Sequence, residues 1–262
     1  MRTSIHPTAV IEEGATLSDG VQVGPFCHIG PEVTLGDGVR LHSHVVISGK
    51  TTIGSGCEIH SFAALGTAPE HVAYEGQNTQ LIIGKNNRFR EHSTVNIGTA
   101  EGRGETRIGD NGYFMTATHV AHDCIIGDNT IFANSAIVAG HVVVEDFAFL
   151  GGACAVHQHC QIGAHAFLGG GAIVVHDIIP YGSATGNFAM LEGLNIIGLR
   201  RRGFDRDKID QLRAAFKDIF CGDRPFQDRL LSAERQYEKS AEAKNILEFI
   251  NRDRARPIMM AR

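Results

Sequence analysis

Histidine is the residue type in this sequence with the greatest capacity for chemistry. The chain has 14 His among 262 residues, and imidazole changes charge near neutral pH. Several of these histidines recur at intervals of about 18 positions, with an Asp, a Gly and a Gln among them. The set consists of His119, His122, Asp123, Gly140, His141, His157, Gln158 and His159. Such a cluster can supply a general base, or it can ligate a metal ion.

General-base chemistry is the hypothesis that this set favours. A catalytic imidazole needs an orienting partner on its second nitrogen, and Asp123 directly follows His122. Gly140 lies 18 positions after His122, where its backbone N–H is a candidate donor to an oxyanion. The sequence has no GxSxG motif and no Ser-His-Asp arrangement, which favours direct acyl transfer over a covalent acyl-enzyme. Gly and Gln in the same column argue against a metal site, and zinc binding stays open as the alternative.

The elements that position these residues are indicated by a repeat of six. An aliphatic residue occupies every sixth position from Ile5 to Leu65, and the repeat resumes at Ile83 and again from Ile108 to Val174, with Phe at some positions. Three units of six form one triangular coil of about 18 residues, and stacked coils form a β-helix. Positions 18 apart then lie above one another, which would gather the histidines along one stretch of surface.

Two interruptions of the repeat, at about 67–80 and 98–106, predict loops that project from the solenoid. A helical pattern replaces the repeat near the C-terminus, with Asp205 as a helix N-cap and further helices at about 225–239 and 241–254. The prediction is therefore a mainly β protein of two domains. Residues 1–185 form a β-helix with projecting loops, and residues 186–262 form an α-helical domain.

Composition excludes several classes of protein. The net charge of −5 does not supply the broad basic field of a nucleic-acid-binding protein. No apolar run approaches the roughly 20 residues of a membrane helix, and the N-terminus lacks the features of a signal peptide. We therefore expect a cytoplasmic protein that does not insert into a membrane. Five of the six cysteines fall at the small inward position of the repeat and are expected to be core residues.

Four segments resemble one known family. They are THVAHDC at 118–124, NSAIVAGHV at 134–142, AVHQHCQIGAHAFLGG at 155–170 and GLNIIGLRRRGF at 193–204. Together they resemble the UDP-N-acetylglucosamine O-acyltransferases, which perform the first step of lipid A biosynthesis. The resemblance covers nearly the whole chain. It implies a homotrimer of left-handed β-helices with active sites between subunits. It also implies a 3-hydroxyacyl donor on acyl carrier protein, a UDP-GlcNAc acceptor acylated at the sugar 3-position, and no cofactor.

The same resemblance implies a role for each matching residue. His122 matches the general base, Asp123 its acidic support and Gly140 the oxyanion donor. Residues that match the lining of the sugar and acyl sites are His119, His141, His157 and Gln158. Residues that match the nucleotide site are Asn195, Arg201 and Arg202, whose guanidinium groups suit a pyrophosphate. Gly170 matches a chain-length ruler, and a Gly there favours a longer chain. Basic residues from Arg200 to Lys217 could also attract an acidic carrier protein.

The first loop departs from the family pattern PQDxKYxGE. Glu70, His71 and Ala73 stand where that pattern has Gln, Asp and Lys, and Ile197 stands where some members have Glu. Glu70 and His71 are therefore candidate determinants of the acceptor. The alternatives that remain open are N-acylation of a 3-amino UDP-sugar and transfer to another nucleotide sugar. A metal-dependent hexapeptide enzyme and a non-catalytic scaffold are less favoured.

Overall fold

The repeat of six becomes a short strand followed by a turn, and three such units complete one coil. The computed structural model describes residues 3–261. The strands in chain order are β1 Ser4–Ile5, β2 Val10–Ile11, β3 Thr16–Leu17, β4 Gln22–Val23, β5 His28–Ile29, β6 Val33–Leu35, β7 Arg40–Leu41, β8 Val46–Ile47, β9 Lys50–Ile53, β10 Glu58–Ile59, β11 Ala64–Thr67, β12 Gln80–Ile83, β13 Arg88–Phe89, β14 Thr94–Asn96, β15 Glu105–Ile108, β16 Tyr113–Phe114, β17 His119–Val120, β18 Ile125–Ile126, β19 Ile131–Phe132, β20 Ile137–Val138, β21 Val143–Val144, β22 Phe149–Leu150, β23 Ala155–Val156, β24 Gln161–Ile162, β25 Phe167–Leu168, β26 Ile173–Val174, β27 Gly182–Thr185 and β28 Met190–Leu194.

These strands form the three sheets of a left-handed parallel β-helix, as predicted. Sheet A runs from β1 through every third strand to β25 and then adds β27 and β28. Sheet B runs from β2 to β26, and sheet C from β3 to β24. Val120, Val138 and Val156 are consecutive partners in sheet B, each 18 positions apart. Parallel pairing at this interval places equivalent residues of successive coils above one another.

The core is a column of inward-facing residues along the solenoid. The aromatic residues Phe89, Phe114 and Phe132 stack with centroid separations of 4.6 and 4.9 Å and are fully buried. The five cysteines of the repeat are also buried, and Cys221 is exposed. Each fully buried Leu, Ile or Phe contributes about 1.5–3 kcal/mol relative to an exposed one. The repeat of six therefore encodes the core directly.

The coil turns at three corners, which we name by the sheets they join: corner AB, corner BC and corner CA. Turns at all three corners use residues in the left-handed region, and at corner BC these include Asp123, His141 and His159 with φ of 60–65°. That conformation costs a non-glycine residue about 1–2 kcal/mol. Hydrogen bonds between coils offset this cost: His141 N–H donates to the His122 carbonyl over 3.0 Å, and His159 N–H donates to the Gly140 carbonyl over 3.1 Å.

Both interruptions of the repeat lie at corner BC. The first loop, residues 68–79, connects β11 to β12, and the second loop, residues 97–104, connects β14 to β15. The second loop is slightly shorter than predicted because Thr106 already belongs to β15. The Thr79 hydroxyl joins the two loops by donating to the Gly98 carbonyl over 2.6 Å. Insertions at this corner do not disturb the sheets, since Ile53, Ile83 and Ile108 still pair in register.

In the described part of the chain, four helices follow β28: α1 Ile196–Arg201, α2 Arg206–Phe220, α3 Phe226–Gln236 and α4 Ala241–Asn251. The predicted N-cap is confirmed, because Asp205 Oδ1 accepts the Lys208 N–H over 2.8 Å. Sheet A extends to Leu194, and the division into domains at residue 185 stays a prediction. Within residues 3–261, no helix has the length and apolar character needed to cross a bilayer.

Candidate active site

His122 and Asp123 form a hydrogen-bonded pair at corner BC. His122 Nδ1 lies 2.8 Å from Asp123 Oδ2, and their side chains are 11% and 0% exposed. Burial alone would raise the pKa of Asp123. Hydrogen bonds from Thr99 and His122, with further bonds from backbone N–H groups, outweigh it and hold that pKa below its ordinary value. An ionised carboxylate only accepts hydrogen bonds, so Nδ1 of His122 must carry a proton, and in the neutral imidazole Nε2 then carries a lone pair.

The second loop encloses the Asp123 carboxylate. Oδ1 accepts the backbone N–H groups of Arg103 over 2.8 Å and Gly104 over 3.2 Å. Oδ2 accepts the Thr99 hydroxyl over 2.6 Å, and the Thr99 N–H lies within 3.1–3.2 Å of both oxygens. Gly102 must lack a side chain, because a Cβ there would lie 2.5 Å from the carboxyl group. A buried carboxylate with this many donors has a fixed orientation.

Gly140 faces His122 from the next coil. A Cβ on Gly140 would lie 2.5 Å from His122 Cε1 and 2.7 Å from Nε2, so glycine leaves the room that the imidazole occupies. Within residues 3–261, no acceptor bonds the Gly140 N–H. The pair therefore places a basic nitrogen and a free backbone donor side by side. This is the geometry that proton removal beside a developing oxyanion requires.

The first loop reaches the same corner. The His71 ring lies 5.2 Å from the His122 ring in an edge-to-face arrangement, and the His141 ring lies 5.1 Å away on another side. Burial lowers the pKa of His119, and the charge of Glu70 opposes that shift. His119 Nδ1 also lies 2.8 Å from the Thr94 hydroxyl. The structure thus places the rings of His71 and His141 against His122.

His157 and Gln158 lie at corner BC two coils beyond His122. Both are exposed. His159, the next residue, stacks on His141 with ring centroids 4.5 Å apart. At this corner, ring contacts therefore link His71, His122, His141 and His159.

The remaining predicted residues lie at other corners of the same chain. Gly170 is at corner AB, where the nearest atom to an added Cβ is a backbone oxygen 3.4 Å away. Arg202 is at corner CA, with its guanidinium over the Phe147 ring and Nη1 3.3 Å from His165 Nδ1. Arg201 beside it is exposed. One side of a coil contains six residues and spans up to about 20 Å, so one chain does not bring all three groups together.

Asn195 has a structural role at corner CA. Its Oδ1 caps α1 by accepting the Gly198 N–H over 3.0 Å, and its Nδ2 donates to the His165 carbonyl over 2.9 Å. The residue is 9% exposed. A nucleotide-binding role for Asn195 stays a prediction.

Metal ligation at this corner competes with the hydrogen bonds just described. One nitrogen each from His122 and His141 and one oxygen from Asp123 lie within 4.8 Å of one another. Asp123 Oδ2, however, already accepts from His122 Nδ1 and the Thr99 hydroxyl, and Oδ1 from two backbone N–H groups. A cation would have to displace these donors. The donor set therefore favours an oriented base.

Two residues that the sequence patterns do not single out contact the predicted site residues. The Thr99 hydroxyl, in the second projecting loop, contacts Asp123. The Arg256 guanidinium lies 2.7 Å from His157 Nδ1. The glycines at 98, 102 and 104 around Thr99 indicated a tight loop that could wrap an anion. No sequence signal connected Arg256 to a histidine 99 positions away.

Comparisons with known proteins agree with the geometry. Residues 177–259 match the family model described as Udp N-acetylglucosamine O-acyltransferase, Domain 2, and residues 14–49 match the bacterial transferase hexapeptide model. The acyl-[acyl-carrier-protein]--UDP-N-acetylglucosamine O-acyltransferase of Caulobacter vibrioides is 50% identical over 98% of each chain. The enzyme of the same name from Azorhizobium caulinodans is 50% identical over 94% of this chain and 91% of its own.

Solved structures give the same result. The UDP-N-acetylglucosamine acyltransferase from Campylobacter jejuni superposes with a TM-score of 0.93 at 38% identity, covering 98% of this chain and 100% of that chain. The resemblance seen in the sequence motifs is confirmed over the length of the protein. The chain belongs to the UDP-N-acetylglucosamine O-acyltransferase family and is an acyltransferase.

Proposed function

We propose that this protein transfers a 3-hydroxyacyl chain from acyl carrier protein to the 3-hydroxyl group of UDP-GlcNAc, the first step of lipid A biosynthesis. Relatives that are 50% identical carry the name of this reaction. The proposed mechanism rests on the 2.8 Å hydrogen bond between His122 Nδ1 and Asp123 Oδ2. This bond leaves His122 Nε2 available as a base beside the Gly140 N–H.

The reaction needs one proton transfer in each direction. His122 Nε2 removes the proton of the sugar hydroxyl as its oxygen attacks the thioester carbonyl carbon, and the carbonyl oxygen becomes negatively charged. The Gly140 N–H donates to that oxygen. When the C–S bond breaks, the protonated imidazole returns its proton to the departing thiolate. Asp123 stabilises the imidazolium that forms between these two steps.

Binding roles follow from position. Near the base, Glu70, His71, His119 and His141 would contact the sugar, and His157 and Gln158 the acyl group. At corner CA, Arg201 and Arg202 with Asn195 would hold the nucleotide, and Gly170 at corner AB would limit chain length. A groove beside α2 is lined by Arg200, Arg206 and Arg213 together with Asp210, which pairs with Arg206 and Arg213. Its net positive charge suits acidic acyl carrier protein. We also propose that the protein is located in the cytoplasm.

We also propose that the enzyme is a homotrimer whose sites are shared between subunits. The support is the distribution of the candidate residues over three corners of one coil. A neighbouring chain related by a threefold axis could present a different corner to His122.

Product analysis tests the reaction. Purified protein is incubated with 3-hydroxyacyl carrier proteins of several lengths and either UDP-GlcNAc or its 3-amino analogue, and products are identified by mass spectrometry. Ester product from UDP-GlcNAc, abolished by His122→Ala, is expected. Amide product from the amino sugar alone would overturn O-acylation and make Glu70 and His71 determinants of a different acceptor.

Mixed assembly tests the shared site. His122→Ala and Arg201→Ala chains, each inactive alone, are unfolded together, refolded at equal amounts and assayed. If His122 and Arg201 act from different subunits, random mixing restores about a quarter of wild-type activity. No recovery in a mixed trimer would place both residues in one subunit's site.

A further inference from the structure

After the last helix, the described part of the chain returns to the β-helix. After α4, residues 252–261, which we name the C-terminal strap, lie over the last coil. Asp177 N–H donates to the Pro257 carbonyl over 2.9 Å, and Met259 N–H donates to the Asp177 carbonyl over 2.8 Å. Ala261 forms a bridge with Leu191, and Met259 is buried. The strap is therefore part of the folded solenoid.

Three arginines at alternate positions point from the strap to the solenoid. Arg252 pairs with Glu145. Arg254 Nη1 lies 3.8 Å from Asp177 Oδ2. Arg254 Nη2 also donates to the carbonyl oxygens of Phe249 and Arg252. Arg252 and Arg254 therefore tie the strap to carboxylates of the β-helix.

The third of these arginines, Arg256, contacts two residues of the candidate active site. Arg256 Nη2 lies 2.7 Å from His157 Nδ1, and Arg256 Nε donates to the Gln158 carbonyl over 3.1 Å. A guanidinium only donates hydrogen bonds, so His157 Nδ1 must accept. His157 is then neutral and carries its proton on Nε2. The 3.3 Å approach of His157 Nδ1 to the Gln158 carbonyl is consequently not a hydrogen bond, because both atoms accept from Arg256.

We propose that Arg256 is a positioning residue for the acyltransferase site. It fixes His157 as the Nε2–H tautomer, which offers a hydrogen-bond donor to an oxygen atom of the bound substrate, and it holds the backbone of Gln158 in the same corner. This inference rests on the proposed function, because it assumes that His157 contacts substrate. Without Arg256, the His157 Nδ1 proton can bond the Gln158 carbonyl, and Nε2 becomes an acceptor.

Kinetics of Arg256→Gln, Arg256→Lys and His157→Ala test the coupling. We expect Arg256→Gln to lower kcat/KM about tenfold, the loss of one charge-assisted hydrogen bond in a partly exposed site. Arg256→Lys keeps one donor and should recover part of that loss. In a His157→Ala background, Arg256→Gln should cost nothing further. The matched control is Arg252→Gln, which removes a guanidinium from the same strap away from His157 and should leave kcat/KM unchanged.

Nitrogen NMR of the His157 ring gives a readout that does not depend on activity. In the wild type, Nδ1 should be unprotonated and Nε2 protonated, and Arg256→Gln should shift the ring to a mixture of tautomers. Three results would overturn the proposal: an Nδ1–H ring in the wild type, an equal loss from Arg256→Gln with or without His157, or an equal loss from Arg252→Gln. If the wild type acylates no sugar, the proposed function fails while the tautomer measurement still decides the Arg256 contact.

Discussion

Replacing Asp123 by Asn is the sharpest test of the His122–Asp123 pair. The amide has the shape of the carboxylate but only one accepting atom, and it can adopt two orientations. With its oxygen toward His122, its NH2 group would face the backbone N–H groups of Arg103 and Gly104, which now donate over 2.8 and 3.2 Å. With its NH2 group toward His122, those backbone bonds survive, but His122 Nδ1 must accept. The His122 proton then moves to Nε2, and the base is lost.

The expected magnitude follows from counting these donors. The Thr99 N–H lies 3.1–3.2 Å from both oxygens and does not distinguish the orientations. The Gly104 N–H also donates to the Thr99 carbonyl over 3.0 Å, so the orientation with oxygen toward His122 leaves one further donor, the Arg103 N–H, without an acceptor. That costs about 1–3 kcal/mol, which leaves this orientation in roughly 1 in 5 to 1 in 150 molecules. We therefore expect Asp123→Asn to lower kcat by about 5- to 150-fold.

Steady-state kinetics with acyl carrier protein and UDP-GlcNAc measure this loss, with thermal unfolding to verify the folded fraction. Asp128→Asn is a matched control, because Asp128 also accepts a backbone N–H, that of Asp110 over 2.7 Å, but at corner CA. That variant should keep wild-type kcat. An Asp123→Asn enzyme within threefold of wild type would show that Asp123 does not set the His122 tautomer.

Three further substitutions have defined outcomes. Gly140→Ala places a methyl group 2.5–2.7 Å from the buried His122 ring. It should abolish most of kcat and also lower the melting temperature, because the ring must move. Unchanged kcat would contradict the close packing of this pair. Gly170→Met fills the open space at corner AB and should shorten the acyl chain preferred in a competition among carrier proteins, whereas an unchanged preference would remove Gly170 from the chain-length site. Burial raises the pKa of Asp177 to about 6, against weaker opposing contributions that include Arg254. The folded protein therefore holds this proton more tightly than the unfolded chain does. The free energy of unfolding should consequently fall as pH rises from about 4 to 6. Asp177→Asn should remove about 2–3 kcal/mol of that fall. Urea unfolding at pH 4.5 and 7.5 measures it. If the variant keeps the wild-type difference in unfolding free energy between the two pH values, the Asp177 carboxyl group is not responsible.

The solenoid and the composition of corner BC could be predicted because both follow from periodicity. A repeat of six residues requires short strands and turns, and an interval of 18 brings His122, Gly140 and Gln158 to one corner. The loops were located for the same reason, since an insertion interrupts the period. These inferences need only local pattern and the stacking of identical coils.

The contacts that orient the site could not be predicted, because they join segments that share no period. Thr99 and Asp123 are 24 positions apart, across the second loop. Arg256 and His157 are 99 positions apart, across the whole helical region. Arg202 shows the same limit from the other direction. A sequence motif assigns it to the nucleotide site, but the motif does not reveal its contacts with Phe147 and His165 in the structure. Long-range side-chain contacts depend on where the non-repeating segments return, and no spacing in the sequence records that.

Because the coils stack, the distance between two residues along the solenoid axis can change only in whole-coil steps when coils are added or removed. Successive coils lie about 4.8 Å apart, and each contacts only its two neighbours. From His122 to Gly170 the chain advances 48 positions, between two and three turns of 18 residues. Duplicating or deleting one full coil between them would keep every strand in register and move the two residues apart or together by one step of about 4.8 Å, close to four methylene groups of an extended chain. With Gly170 in its proposed role of limiting chain length, such rearrangements would alter product chain length in coarse increments, whereas point substitutions at Gly170 would provide the fine adjustment.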